Sequence, residues 1–123
     1  MNHSPAACRA REILDRVGGK WSLSVIHQLG SGTKRFTELN RGIDGISHRM
    51  LAVTLRELER DGIVSRTVRA VMPPHVEYAL TTMGRALLDT MGGLVVWAED
   101  HLGEIDAARA AFDARTATGG DRP

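Results

Sequence analysis

Three features of the 123-residue sequence predict an α+β fold that is mostly α. Apolar residues recur at three- and four-residue spacing over most of the chain, in segments that Gly pairs and Asp-Gly steps interrupt. Between Val64 and Leu80 the period changes to two, on either side of Pro73-Pro74. After Leu80 comes a long segment whose apolar band is broader than a small domain can cover alone.

The elements follow in order. Ala7–Val17 is a helix with Ile13, Leu14 and Val17 on one side, stopped by Gly18-Gly19. Lys20–Leu29 is a second helix carrying Trp21, Val25, Ile26 and Leu29, ended by Gly30-Ser31-Gly32. Lys34-Arg35-Phe36 is a short extended piece. Thr37 caps a third helix by accepting from the free amides of its first turn, and Leu39 and Ile43 point inward. Asp44-Gly45 turns the chain, Ser47 caps a fourth helix, and Asp61-Gly62 ends it. Val64, Val68 and Ala70 alternate with Ser65, Thr67 and Arg69. Val76, Tyr78 and Leu80 alternate with Glu77 and Ala79, and the two prolines take the loop because they cannot donate ladder hydrogen bonds. Thr81 caps a last helix from about Thr82 to at least Leu102. Residues 116–123 are expected to be a disordered tail. Helices three and four joined by a tight Gly-containing turn make a helix-turn-helix, and the hairpin after them makes a wing. Residues 1–115 are therefore expected to be one winged helix-turn-helix domain.

Net charge is +1, but it is unevenly placed. Residues 1–80 carry +4 and residues 81–123 carry −3, so the basic part calls for an anionic partner. Fourteen of the sixteen basic residues are arginine, whose fork suits phosphates and guanine edges. No apolar run approaches the ~18 residues of a membrane helix. The N-terminus lacks the layout of a signal peptide, and a single cysteine allows no internal disulfide. A cytoplasmic protein with no membrane partner is expected.

The fourth helix, ISHRMLAVTLRELERDG, raises the sharpest question. Leu51, Leu55 and Leu58 form a core stripe. Arg49, Val53, Arg56 and Arg60 form a second stripe nearly opposite, with Ala52 beside it. The bland alternative is a solvated face on which Glu57 pairs with Arg60 and Glu59 with Arg56. The position favours DNA, because the second helix of this motif enters a major groove with its N-terminal residues, here Ser47, His48 and Arg49, against base edges. Val53 would meet a thymine methyl. In the hairpin, Arg66 is expected to pair with Glu77 across the strands, leaving Arg69 for phosphate or minor-groove contact. Lys34 and Arg35 would combine with the N-terminus of the helix that Thr37 caps to clamp a phosphate.

No catalytic apparatus emerges. His101 and Glu104 are three apart on one helix face, too little for a zinc site. Neither a cofactor nor a metal is expected. The last helix presents Leu87, Leu88, Met91, Leu94, Val95, Ala98 and Leu102 as one band, and Gly92-Gly93 in its middle suits close approach of a partner helix or, alternatively, a kink or register break within one subunit. Homodimerisation follows, since a two-fold pair of recognition helices needs it.

The segments ILDRVGGKWSLSVIHQL, RFTEL, GISHRML, LRELERDGIVSR and PPHVEYALTTMGR, with Trp97 beyond, resemble the HxlR-type helix-turn-helix family, bacterial winged-helix regulators allied to the MarR group. The resemblance covers roughly Cys8 to Leu102. It implies a transcriptional regulator, most often a repressor, that binds an inverted-repeat operator in double-stranded DNA as a homodimer. It places the recognition helix at Ser47–Arg60 and the wing at Val64–Leu80. It builds the dimer interface from helices 7–17 and 82–102, with Ile13, Leu14, Leu88, Met91, Leu94, Val95, Ala98 and Leu102 as contacts. Family members often carry polar residues where this chain has Ala52 and Val53. They also often carry an N-terminal cysteine that senses oxidants or electrophiles, and Cys8 matches by position. Cys8 begins the first helix beside Arg9 and Arg11, a setting that favours a thiolate. The effector would then be an oxidant or a small molecule. The alternative is a winged helix that binds protein rather than DNA.

Overall fold

The computed structural model describes residues 5–117. Its elements are α1 (Pro5–Val17), α2 (Lys20–Leu29), β1 (Lys34–Arg35), α3 (Phe36–Gly42), α4 (His48–Arg60), β2 (Val64–Arg69), β3 (His75–Leu80), α5 (Thr82–Asp100) and α6 (Leu102–Ala117). They form two compact units, one reaching Leu88 and one starting at Asp89, so the boundary falls inside α5.

The first unit is built on the leucine stripe. Val25, Ile26 and Leu29 of α2, Leu39 of α3, and Leu51, Leu55 and Leu58 of α4 are at most 2% exposed. Ile43 and Ile46 in the turn between α3 and α4, and Ile63 and Val64 after it, close the same core. Ser47 caps α4 as expected, its Oγ accepting from the Met50 N–H at 3.0 Å. Gly62 stops α4 with φ +78°, while the Ile63 N–H reaches back to the Leu58 carbonyl at 2.9 Å. Only a residue without Cβ takes that left-handed turn at little cost. The sheet has the order β1-β3-β2, all antiparallel, with Val64 opposite Leu80 and Arg69 opposite His75.

Thr81 holds the start of α5 to the end of α4. Its Oγ1 accepts from the Gly84 N–H at 3.0 Å and donates to the Gly62 carbonyl at 2.6 Å. Gly84 is required there for space: a Cβ would collide with the Ile63 carbonyl oxygen.

Several sequence expectations are corrected. Thr37 is not the cap of α3. The N-cap is Arg35, two residues earlier, so the helix starts at Phe36, and the Glu38 carboxylate accepts from the Arg35 N–H at 2.8 Å. The alternation in β2 does not bury one face, since Val64 is buried while Val68 is 61% exposed and Ala70 lies past the strand end. The hairpin extends beyond the core, so only its root is covered. The last helix does not run unbroken through Leu102. It ends at Asp100, and α6 begins after His101, whose N–H is shared between the Trp97 and Ala98 carbonyls. Gly103, a poor helix former, follows at once. Helix α6 continues to Ala117, so Thr116 and Ala117 are helical rather than part of a tail; positions 118–123 lie outside the described residues.

The second unit holds the rest of α5 and α6. None of its described residues is buried, and Leu94, Val95, Val96, Trp97, Leu102 and Phe112 stand about half to two-thirds exposed. Helical segments with no fully buried residue lack the packing that usually stabilises helices in water.

Candidate nucleic-acid interface

The leucines of α4 fix which side faces out. With Leu51, Leu55 and Leu58 inward, Arg49, Ala52, Val53, Arg56 and Arg60 are all exposed, Val53 at 43%. The local ion pairs that would explain the stripe structurally do not form. Among the described residues no carboxylate lies within 4.0 Å of Arg49, Arg56 or Arg60. The stripe is thus a row of exposed guanidiniums with no close ion pair, on a firmly anchored helix. At its N-terminal end the His48 ring meets Phe36 edge-on, centroids 5.6 Å apart. Met50, 40% exposed on the same end, was not singled out from the sequence.

The wing reverses the expected roles of its two arginines. Thr67, not Arg66, lies opposite Glu77, and Arg66 lies opposite Tyr78. Cross-strand partners share a face, so Arg66 and Glu77 point to opposite sides of the sheet. Arg69 is the residue that Glu77 holds, through Nε at 3.0 Å, while His75 Nε2 bonds the other carboxylate oxygen at 2.9 Å. The hydrogen bond from His75, and then that from Arg69, hold the Glu77 carboxyl below the usual carboxylate range. Arg66 instead lines an open cavity of about 240 Å³ together with Arg56, Ala52, Phe36, Tyr78 and Glu59. One guanidinium from α4 and one from the hairpin thus flank the same groove. The alternation alone carried this signal. Arg66 has the parity of Val64, whereas Glu77 has the parity opposite to Tyr78 and Leu80.

The remaining candidates divide. Lys34 and Arg35 form β1 and pair in register with Tyr78 and Glu77. Lys34 is half-buried, and Arg35 and Thr37 are exposed. Glu38 already occupies the Arg35 amide at the start of α3, which leaves less there for a phosphate. A contact absent from the sequence reasoning ties α1 to the end of α4: Arg16 Nη1 bonds both oxygens of Asp61, at 2.8 and 2.9 Å. The hydrogen bond and charge of Asp61 raise the Arg16 pKa.

Of the candidate dimer contacts, Ile13 and Leu14 stand exposed on α1, and Leu94, Val95 and Leu102 on the later helices. Met91 and Ala98 are half-buried. Leu88 is half-buried too and lies against Gly30, close enough that a Cβ on that glycine would sit 2.8 Å from it. Gly92 and Gly93 face open space. Cys8 is an exposed free thiol, but α1 starts at Pro5, so Cys8 lies about a turn inside the helix rather than at its start. His101 stacks on Trp97 with centroids 4.9 Å apart and stands 4.0 Å from Glu104. No helix among the described residues is long and apolar enough to cross a membrane.

A helix-turn-helix whose second helix bares its outer face, followed by an antiparallel hairpin, defines the winged helix-turn-helix transcriptional regulators. Comparison with known proteins narrows the class. The model of the HxlR-like helix-turn-helix family matches residues 16–106, and the chain belongs to that family. It is 41% identical over 102 residues to the HTH-type transcriptional regulator YtfH of Escherichia coli K12, covering 83% of this chain and 81% of that one. A MarR-family transcriptional regulator from Enterococcus faecalis V583 is similar in structure, with TM-score 0.74 and 38% identity over 87% of this chain and 97% of that one. The redox regulator HypR in its reduced form matches with TM-score 0.71 and 39% identity, covering 80% of this chain and 98% of that one.

Proposed function

We propose that this transcriptional regulator binds an inverted-repeat operator in double-stranded DNA as a homodimer and represses from it. The observation that carries the proposal is the exposed arginine stripe on α4, which has no carboxylate within 4.0 Å among the described residues. Guanidiniums left in this state on a recognition helix suit phosphates and guanine edges. Ser47, His48 and Arg49 lead the helix into the major groove, and Ala52 and Val53 offer apolar contact to thymine methyls. Arg56 and Arg66 close on a backbone phosphate from two sides, with Arg60 further along the stripe and Lys34, Arg35 and Thr37 beside the groove. Arg69 takes a smaller part, because Glu77 neutralises it.

The dimer rests on the second unit, which exposes Leu94, Val95, Val96 and Trp97 and has no fully buried side chain among its described residues. A second copy would cover these residues and Ile13 and Leu14 of α1. Cys8 is the candidate redox switch. It is exposed, and it lies on a helix of the proposed interface; HypR, a structural relative, is a redox regulator. An oxidant that modified it would shift α1 and so the spacing of the recognition helices. A cytoplasmic location follows from the role.

The test begins by selecting duplexes from a random pool, followed by a salt titration of binding. Sequence-selective binding with a steep salt slope is expected. Selection of no sequence, with affinity insensitive to salt, would instead favour the protein-interaction reading. DNA release by mild oxidant in wild type but not in Cys8→Ser would support the switch; equal behaviour of the two would dismiss it.

A further inference from the structure

The tip of the hairpin has the wrong composition for a phosphate contact. Between Arg69 and His75 the chain reads Ala-Val-Met-Pro-Pro, with no charged side chain. Met72 is 93% exposed, and Val68 and Val71, just before it, are more than half exposed. Arg69, the cation nearest the tip on β2, is held by Glu77. A tip of this kind gains nothing from counterion release and much from leaving water. It is also braced. His75 approaches the Pro73 carbonyl through Nδ1 at 3.3 Å and the Glu77 carboxylate through Nε2 at 2.9 Å, and Glu77 holds Arg69 on the facing strand. The loop is thereby tied to both strands at their last paired position, Arg69 opposite His75.

The hairpin also sets where the tip lands. Arg66 of β2 and Arg56 of α4 line one groove. From Arg66 to the strand end at Arg69 is ~10 Å, and the loop carries Met72 further. With a phosphate between Arg56 and Arg66, that reach crosses the sugar-phosphate backbone to the next groove, the minor one, ~6 Å wide. We propose that Met72 is an apolar wedge that enters this minor groove beside each half-site and pushes between two stacked base pairs, with Val71 and Pro73 against the sugars. Met and Pro are among the side chains that unstack base steps in this way. The proposal rests on the reading of α4 as a DNA-binding helix, and it adds a selectivity that the arginine stripe does not supply. Unstacking costs least at flexible pyrimidine–purine steps, so the tip selects TA or CA there without a hydrogen bond to any base.

The test places 2-aminopurine, an adenine analogue that brightens when unstacked, at one flanking position at a time in a selected duplex, and titrates in the full chain. Wild type should brighten the probe at one step outside each half-site. Met72→Gln, at a position too exposed to matter for folding, should abolish the brightening and weaken binding about tenfold, with the salt slope within about 0.2 of wild type. Met72→Leu should keep the brightening. Replacing the flanking TA step by AA should cost wild type about fivefold and Met72→Gln nothing. Selective, salt-dependent binding with no brightened position, or with Met72→Gln as tight as wild type, would overturn the wedge and leave the α4 reading standing; the tip would then be free for a protein partner. Failure of wild type to select any sequence would overturn both.

Discussion

Arg66→Ala and Arg69→Ala should separate in a salt titration, and the hairpin register sets the direction. Both residues lie in β2, and both are exposed. Arg69 is neutralised by Glu77 at 3.0 Å, whereas Arg66 stands on the other face of the sheet, beside Arg56. A phosphate contact adds about 0.9 to the slope of log affinity against log salt. Removing one such contact makes the advantage of wild type shrink by about 3.5-fold between 50 and 200 mM salt. Arg66→Ala should show this flattening on every duplex. Arg69→Ala should leave the slope within about 0.2 of wild type, because it deletes a charge already paired. Glu77→Gln, which releases Arg69, should steepen the slope by up to about 0.9. Fluorescence anisotropy with a labelled duplex at four salt concentrations measures all three. Flattening by Arg69→Ala with no effect of Arg66→Ala would refute the assignment.

Other predictions concern single contacts. Arg49→Ala should cost ~1–3 kcal/mol on a selected site, relax sequence choice there, and leave the melting temperature near wild type, as competition binding and thermal melts would show. Gly84→Ala should destabilise the fold by ~1–3 kcal/mol in urea titration, because the new methyl meets a backbone carbonyl that cannot rotate away; an unchanged midpoint would place that helix start differently. Ser47→Ala should cost ~1 kcal/mol through the lost cap, with little loss for Ser47→Asp. The pH dependence of the wing follows from Glu77. Its folded pKa is lowered, so its contribution is complete above the unfolded carboxylate value of ~4.3 and is lost as pH falls through the lower folded value. Arg69 should therefore stay tied throughout the neutral range, and a carboxyl NMR titration should place the Glu77 midpoint below ~4.3.

Much of the fold was legible because the core is helical and regular. The stripe of Leu51, Leu55 and Leu58, the cap at Ser47 and the stop at Gly62 are local patterns with local causes. What failed was set by tertiary context. The cap position of α3 fell on Arg35, whose N–H Glu38 accepts, because the helix began two residues early, a shift that propensity does not resolve. Alternation alone leaves the hairpin register open by one residue, and the observed pairing of Arg66 with Tyr78 puts Arg66 on the face opposite Glu77 and ties Arg69 to Glu77 instead. Val68 follows strand alternation yet stays exposed, because burial depends on what stands behind the sheet. The break at His101 was hidden by apolar residues that continue past it on both sides. The Arg16–Asp61 bridge joins residues 45 positions apart, and no local spacing announces such a pair.

The central claim is that α4 reads DNA from a two-fold dimer, and footprinting on a selected duplex tests it most directly. Hydroxyl-radical cleavage should show two protected patches of equal depth, symmetric about one centre, with half-sites about 34 Å apart. Arg49→Ala should weaken both together. A single asymmetric patch, or symmetric protection that Arg49→Ala leaves untouched, would contradict the account.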